Sequence, residues 1–88
     1  MKAQEFIYLY EVRYIAFGMD APATKYFVHE ENAQKFYEEI TDGNRYRADL
    51  PRRKRVKMEF VCYARPDAIE DEDEATAQKI YNYMRERW

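Results

Sequence analysis

The first candidates for a general base and a nucleophile in this 88-residue sequence are His29 and Cys62. They are the only histidine and the only cysteine, and the sequence contains no serine. A histidine that acts as a general base for nucleophilic catalysis needs a nucleophile within hydrogen-bond reach, and no serine or cysteine lies near His29 in the sequence. We therefore interpret His29 as a helix-entry residue and Cys62 as a small buried hydrophobic residue. We expect neither enzymatic activity nor a metal site or cofactor.

Six carboxylates are concentrated near the C-terminal third of the chain and form an acidic cluster: Asp67, Glu70, Asp71, Glu72, Asp73 and Glu74. The run lacks the alternating oxygen ligands and central glycine of an EF-hand loop. Consecutive carboxylates at a helix start point in several directions, where the helix dipole favours them. A solvated helix start is one interpretation. The other is a partner-binding surface that imitates phosphates and enters a basic groove of another protein.

The opposite charge is concentrated between residues 45 and 57, which hold seven basic residues and one acidic residue, a local net charge of +6. The candidate partner-binding residues of this basic arm are Arg45, Tyr46, Arg47, Arg52, Arg53, Lys54, Arg55 and Lys57. Such an arm could follow a phosphate backbone. The net charge of −2 and the pI near 5.4 argue against non-specific attraction to nucleic acid. The arm and the acidic cluster could also neutralise each other within the fold.

Tyrosine is the third unusual feature, with nine residues in a chain this short. Phe6, Tyr8, Tyr10 and Tyr14 share one side of a run that alternates like a β-strand, and Ile7, Leu9 and Ile15 share the other. If the tyrosine side points away from the helices, it forms an exposed aromatic surface of the kind that marks interfaces. In the inverted alternative, the aliphatic side is exposed. Both arrangements favour a protein partner or a homodimer.

The elements that must position these groups follow from the spacing of apolar residues. Residues 5–17 and 23–28 predict a hairpin, and residues 25–40 predict a strand that runs directly into a helix. Ala33, Phe36, Tyr37 and Ile40 give that helix its apolar stripe, and Gly43 ends it. Residues 56–64 alternate as a third strand, and a second helix from about residue 68 carries the stripe Ala77, Ile80, Tyr81, Met84 and Trp88.

This order predicts a single α+β domain over residues 1–88 with the arrangement β-β-α-β-α. We expect a three-stranded, mostly antiparallel sheet in the order 2-1-3, with 3-2-1 as the alternative, and both helices on one face. The basic arm, residues 44–55, is expected to be a loop because Pro51 interrupts regular structure. The lack of a membrane-spanning run or signal peptide and the single cysteine favour the cytoplasm.

The sequence YFVHEENAQKFYEEI, from Tyr26 to Ile40, resembles the strand-into-helix element of small phage and mobile-element proteins. In those proteins, a tyrosine-rich hairpin precedes a helix with an acidic first turn. The resemblance covers residues 5–42, has no catalytic motif, and departs from the pattern at His29, where serine or threonine is usual. It implies a class that includes accessory proteins and small inhibitors of bacterial defence systems such as CRISPR.

The leading hypothesis is therefore a non-catalytic protein-binding module, encoded by a phage or plasmid, that inhibits a bacterial defence protein through surface and charge complementarity. The alternative is a nucleic-acid-binding protein that uses the basic arm, residues 45–57.

Overall fold

The computed structural model describes residues 5–63 and 69–87, and a four-stranded antiparallel sheet forms its centre. The strands are β1 (Phe6–Ala16), β2 (Ala23–Phe27), β3 (Tyr46–Ala48) and β4 (Arg52–Lys57). Tyr10 of β1 pairs with Phe27 on one side and with Arg53 on the other, so β1 is the middle strand. The α+β class and the predicted order 2-1-3 are confirmed.

The strands β3 and β4 lie in succession along the same side of β1 and form one interrupted edge strand. The register shifts by one residue between them, so residues 12–13 of β1 lie opposite residues 49–51. The edge strand therefore has one more residue than β1 at this point, and such an extra residue is a β-bulge. Pro51, which has no amide hydrogen, lies in this bulge, where proline is tolerated. The prediction of a loop across residues 44–55 was wrong because Pro51 interrupts the edge strand without abolishing it.

The helix α1 (Glu30–Thr41) forms where the apolar spacing predicted it. Ala33 is fully buried, and the other stripe residues pack with it against Val12 and Phe27. Glu30 and Glu31 occupy the first turn. A short 3₁₀ turn, Asp42–Asn44, follows the helix, and its Gly43 has a φ of 80°, a conformation that glycine adopts without steric cost.

The prediction of a third strand over residues 56–64 was wrong beyond Lys57 within the described residues. Only its first residues belong to β4, and Met58–Tyr63 forms a short helix, α2. A short apolar run fits both periods: its residues alternate, but Met58, Val61 and Cys62 also have helical spacing. This second set packs into the core. Phe60, which the strand prediction placed beside Met58, is 47% exposed.

The last helix, α3 (Glu74–Arg87), buries Ile80 as predicted, but its inner face differs from the predicted stripe. Thr76 and Tyr83 are buried with Ile80, whereas Ala77 and Tyr81 are exposed. The remaining predicted stripe residue at the C-terminus, Trp88, lies outside the described residues. No helix within the described part of the chain is long and apolar enough to cross a membrane.

The helices cover both faces of the sheet, which corrects the prediction that they share one face. α2 and α3 pack against Ile7 and Leu9, and α1 packs against the opposite face at Val12. An 11-residue strand is about 36 Å long, whereas the 12-residue α1 is about 18 Å long. One helix cannot cover all of β1. Each helical layer therefore covers about half of a face, in a molecule that measures 47 × 26 × 19 Å.

Candidate functional site

The part of the sheet beyond α1 carries aromatic and basic side chains side by side. Directly paired residues of neighbouring strands share a face, and Phe6 pairs with Lys57 and Tyr8 with Arg55. Tyr8 is 55% exposed and Phe6 is 36% exposed. We call this surface the Arg-aromatic face and define it by five residues: Phe6, Tyr8, Arg53, Arg55 and Lys57.

Two arginines of this face lie over aromatic rings. The guanidinium carbon of Arg53 is 4.4 Å from the centre of the Tyr8 ring, and that of Arg55 is 4.3 Å from the centre of the Phe6 ring. Each arginine reaches the ring diagonally across the two strands, so the same contact is made twice. A cation–π contact at an exposed site is worth about 0.5–1 kcal/mol. The contacts therefore favour one orientation of two planar, five-donor cations that can bind carboxylate or phosphate groups.

A shallow cavity of about 310 Å³ borders the Arg-aromatic face where it meets α3. Tyr8 and Arg53 line one side, and Thr76 and Lys79 of α3 line the other. Lys79 thus adds a cation at this border.

On the opposite face of the same strands, a buried charge is paired. Glu11 is only 8% exposed and forms an ion pair with Lys54, whose Nζ lies 3.1 Å from Oε2 of Glu11. The Tyr26 hydroxyl donates to the same oxygen at 3.4 Å. Burial, followed by the charge and hydrogen bond of Glu11, raises the pKa of Tyr26. Lys54 therefore already has a carboxylate partner within the fold, which distinguishes it from the cations of the Arg-aromatic face.

The other residues of the basic arm lie elsewhere. Arg47 on β3 is exposed opposite Ile15, and Arg45 accepts a backbone hydrogen bond from Phe17 at 3.1 Å. These residues, with Tyr46 and Met19, line a separate cavity of about 470 Å³ at the hairpin end of β1. Arg52 is exposed opposite Glu11. The fold therefore divides the predicted arm among three places: the Arg-aromatic face, the opposite face of β4 and the hairpin end of β1.

The predicted aromatic surface is also divided. Tyr8 is exposed, but Tyr10 and Tyr14 are half buried beneath α1. The Tyr14 ring packs edge-on against Phe36, with ring centres 5.6 Å apart, and against Tyr46 at 5.8 Å. Tyr8 is the member of the predicted surface that is available at the Arg-aromatic face, where Phe6 joins it.

Two residues of the acidic cluster, Asp71 and Glu70, contact β2 and the start of α1. Asp71 accepts hydrogen bonds from the Val28 and His29 backbone amides and, at 2.8 Å, from the Asn32 side chain. Glu70 pairs with Lys25 at 3.2 Å. Glu72 and Glu74 are exposed, and Asp67 lies outside the described residues. The ion pairs between described residues do not join this cluster to the basic arm.

Asp73 caps α3, since its carboxylate accepts the Thr76 amide hydrogen at 2.8 Å. Its other oxygen is 3.3 Å from Nε2 of His29. Hydrogen bonds from Thr76, and to a smaller extent the nearby His29, hold the pKa of Asp73 below its usual range. His29 thus connects the start of α1 to the start of α3, which agrees with its interpretation as a helix-entry residue.

Cys62 is half buried on α2 and packs against the core formed by α2, α3 and β1. Within residues 5–63 and 69–87, no group of three or more His, Cys, Asp or Glu side chains is placed to hold a metal ion.

Sequence reasoning missed that the arginines and the aromatic rings share one face. Arg53, Arg55 and Lys57 are spaced two residues apart, which is the strand period, and this was the available signal. Comparison of the chain with protein-family models found no match, and comparisons with curated proteins and with solved structures found none either.

Proposed function

We propose that the protein is a non-catalytic binding module that docks the Arg-aromatic face against an acidic surface of a partner protein. The observation that carries this proposal is the stacking of Arg53 on Tyr8 and of Arg55 on Phe6. Arginine and tyrosine are enriched among the residues that contribute most to protein interfaces.

The stacked arrangement favours tight binding for a physical reason. A free arginine side chain loses conformational entropy when it is fixed in an interface. Arg53 and Arg55 are already held against rings in the unbound protein, so less of this entropy remains to be lost. Each guanidinium group can donate two parallel hydrogen bonds to a carboxylate, a geometry that lysine cannot provide.

A pair of charge-matched variants tests the proposal. The double variant Arg53→Glu, Arg55→Glu changes the Arg-aromatic face, and the control Arg45→Glu, Arg47→Glu makes the same charge change at the other cavity. Each variant is used to capture partners from a bacterial lysate, and the partner retained by the wild-type protein is identified and purified. We expect the control to bind it with wild-type affinity and the first variant to lose at least about tenfold. Equal binding by both variants would refute the proposal.

The resemblance of residues 5–42 to phage and mobile-element proteins supports a biological role for this module, the inhibition of a bacterial defence protein. The test is expression of the chain in a bacterium with active CRISPR immunity, followed by phage challenge. Restored plaque formation by the wild-type chain, but not by the Arg53→Glu, Arg55→Glu variant, is the expected result. Unchanged immunity with well-expressed protein would argue against inhibition of that system.

A second candidate function is the binding of single-stranded nucleic acid, because rings and cations side by side resemble the stacking platforms of proteins that bind it. If Arg53, Arg55 and Lys57 contact phosphates, a plot of the logarithm of the binding constant against the logarithm of the salt concentration should have a slope of about −2. Fluorescence anisotropy with an oligothymidylate measures this slope. A flat salt dependence, or no binding at low salt, eliminates this candidate.

A further inference from the structure

The strand β4 is an edge of the sheet: on its outer side, no strand pairs with it in the described part of the chain. Successive residues of a strand direct their N–H and C=O groups alternately to its two sides. Every second residue of Arg52–Lys57 therefore presents backbone groups away from β1. The segment contains no proline, and all of its side chains except Val56 are exposed. It is long enough, at about 20 Å, to pair with a six-residue peptide.

The opposite edge of the sheet shows how this fold covers a strand. Ile69 forms a parallel bridge with Tyr26 of β2, and the Glu70 amide donates to the Tyr26 carbonyl at 2.9 Å. The Glu70 carboxylate also pairs with Lys25 of β2. An acidic segment thus lies along a strand edge and uses both a backbone hydrogen bond and an ion pair.

Charge determines what can cover β4. Five of its six residues are basic, so pairing with the β4 strand of a second copy would place like charges opposite one another, which is destabilising. An acidic strand would instead place carboxylates opposite arginines and lysines. The protein's own Glu70 and Asp71 cannot pair with β4, because they are bonded to β2 and the start of α1. The occupant that fits is an acidic segment of another protein.

We infer that β4 binds an extended acidic peptide of its partner as an additional strand of the sheet. This inference rests on the proposed function, to which it adds the conformation of the bound segment. On the Arg-aromatic face, Arg53, Arg55 and Lys57 recur at the strand period. The peptide therefore carries Glu or Asp at every second position, so that its carboxylates lie beside these cations while its backbone pairs with β4.

The probe for the test is a labelled ten-residue peptide of alternating Glu and Thr. One control is the same sequence with N-methylated backbone amides, which keeps the charges but removes the donors that a strand needs. A second control replaces Glu with Lys. Fluorescence anisotropy measures affinity, and amide hydrogen exchange locates the bound peptide. We expect the acidic peptide to slow exchange within residues 52–57, N-methylation to weaken binding by at least about tenfold, and the Lys peptide not to bind.

Several results would overturn the inference. If the N-methylated peptide binds as well as the parent, or exchange within residues 52–57 is unchanged, the peptide is held by side-chain charge alone. The proposed function then survives, provided that Arg53→Glu, Arg55→Glu weakens binding and Arg45→Glu, Arg47→Glu does not. No binding of the acidic peptide at low salt refutes strand addition. An oligothymidylate that displaces the peptide from β4 and binds more tightly assigns the surface to nucleic acid, and a wild-type dimer that protects residues 52–57 assigns it to self-association.

Discussion

Replacing Asp71 should destabilise the fold far more than replacing the adjacent Glu72. Both residues belong to the same acidic run, but only Asp71 accepts hydrogen bonds from the start of α1. Its carboxylate receives the Val28 and His29 amides and the Asn32 side chain, and so joins the segment before α3 to the junction of β2 and α1.

The size of the effect follows from which donors lose their partner. The Val28 amide and the Asn32 side chain are partly buried, whereas the His29 amide is exposed and can bond to water instead. A buried donor without a partner costs about 1–3 kcal/mol. Because burial here is partial, Asp71→Ala should lower the free energy of unfolding by about 2–3 kcal/mol. Asp71→Asn, which keeps one acceptor oxygen, should cost about 1–2 kcal/mol.

Urea denaturation at neutral pH, followed by circular dichroism, measures these differences. For a domain of this size, the loss in Asp71→Ala corresponds to a Tm lower by about 10–20 °C. Glu72→Gln is the control, because it removes one negative charge from an exposed neighbouring residue. We expect it to change stability by less than about 0.5 kcal/mol. If Asp71→Asn and Glu72→Gln behave alike, the cluster acts through its total charge and the contacts assigned to Asp71 are not important for stability.

Three further predictions concern the pH dependence of stability, the contact between Glu11 and Tyr26, and the core. Because the capping hydrogen bonds hold the pKa of Asp73 low, its contribution to stability is present at neutral pH and is lost as pH falls through the lowered folded-state value. Asp73→Asn should therefore reduce the loss of stability on acidification, measured by urea midpoints between neutral pH and about pH 3. Glu11→Gln should lower the pKa of Tyr26 toward its ordinary value without restoring it fully, since burial remains; tyrosinate absorbance during alkaline titration measures this. Leu9→Ala, at a side chain 1% exposed, should cost about 2–5 kcal/mol. Leu50→Ala, at a side chain 65% exposed, should cost less than about 0.5 kcal/mol in the same urea experiment.

Each of these predictions has a clear contrary result. An acid-unfolding profile that is identical in wild type and Asp73→Asn would show that the cap is not linked to folding. A Tyr26 titration that Glu11→Gln leaves unaltered would mean that the carboxylate does not interact with the hydroxyl. Similar losses for the two leucine variants would place Leu9 outside the core.

The elements with long, consistent apolar spacing were predictable from the sequence. Residues 33, 36, 37 and 40 keep one helical period over about two turns, and α1 forms there. The central strand was predictable for the same reason, because alternation extends over most of Phe6–Ala16. Local pattern is informative where many residues support one period.

The elements that sequence reasoning placed wrongly are those fixed by tertiary context. In Arg52–Lys57, charged residues face solvent on both sides of an edge strand, so the segment has almost no apolar pattern to detect. In Met58–Tyr63, six residues are too few to separate helix from strand, and packing against the core decides. The candidate site depends on both segments, because the end of β4 fixes which cations lie beside Phe6 and Tyr8. Register across strands is not a property of either strand alone.

The basic composition of β4 serves two physical requirements at once. An exposed edge strand invites pairing with other chains, and like charges along the edge oppose pairing between identical copies. In the proposed function, the same charges attract an acidic partner, so protection against self-association and selectivity for that partner would have a common origin. Rings on β1 then hold Arg53 and Arg55 in place, which limits their motion without neutralising them. The net charge of −2 does not reveal this basic strand, because it also counts carboxylates at the opposite edge of the sheet. Glu70 and Asp71 are bonded there.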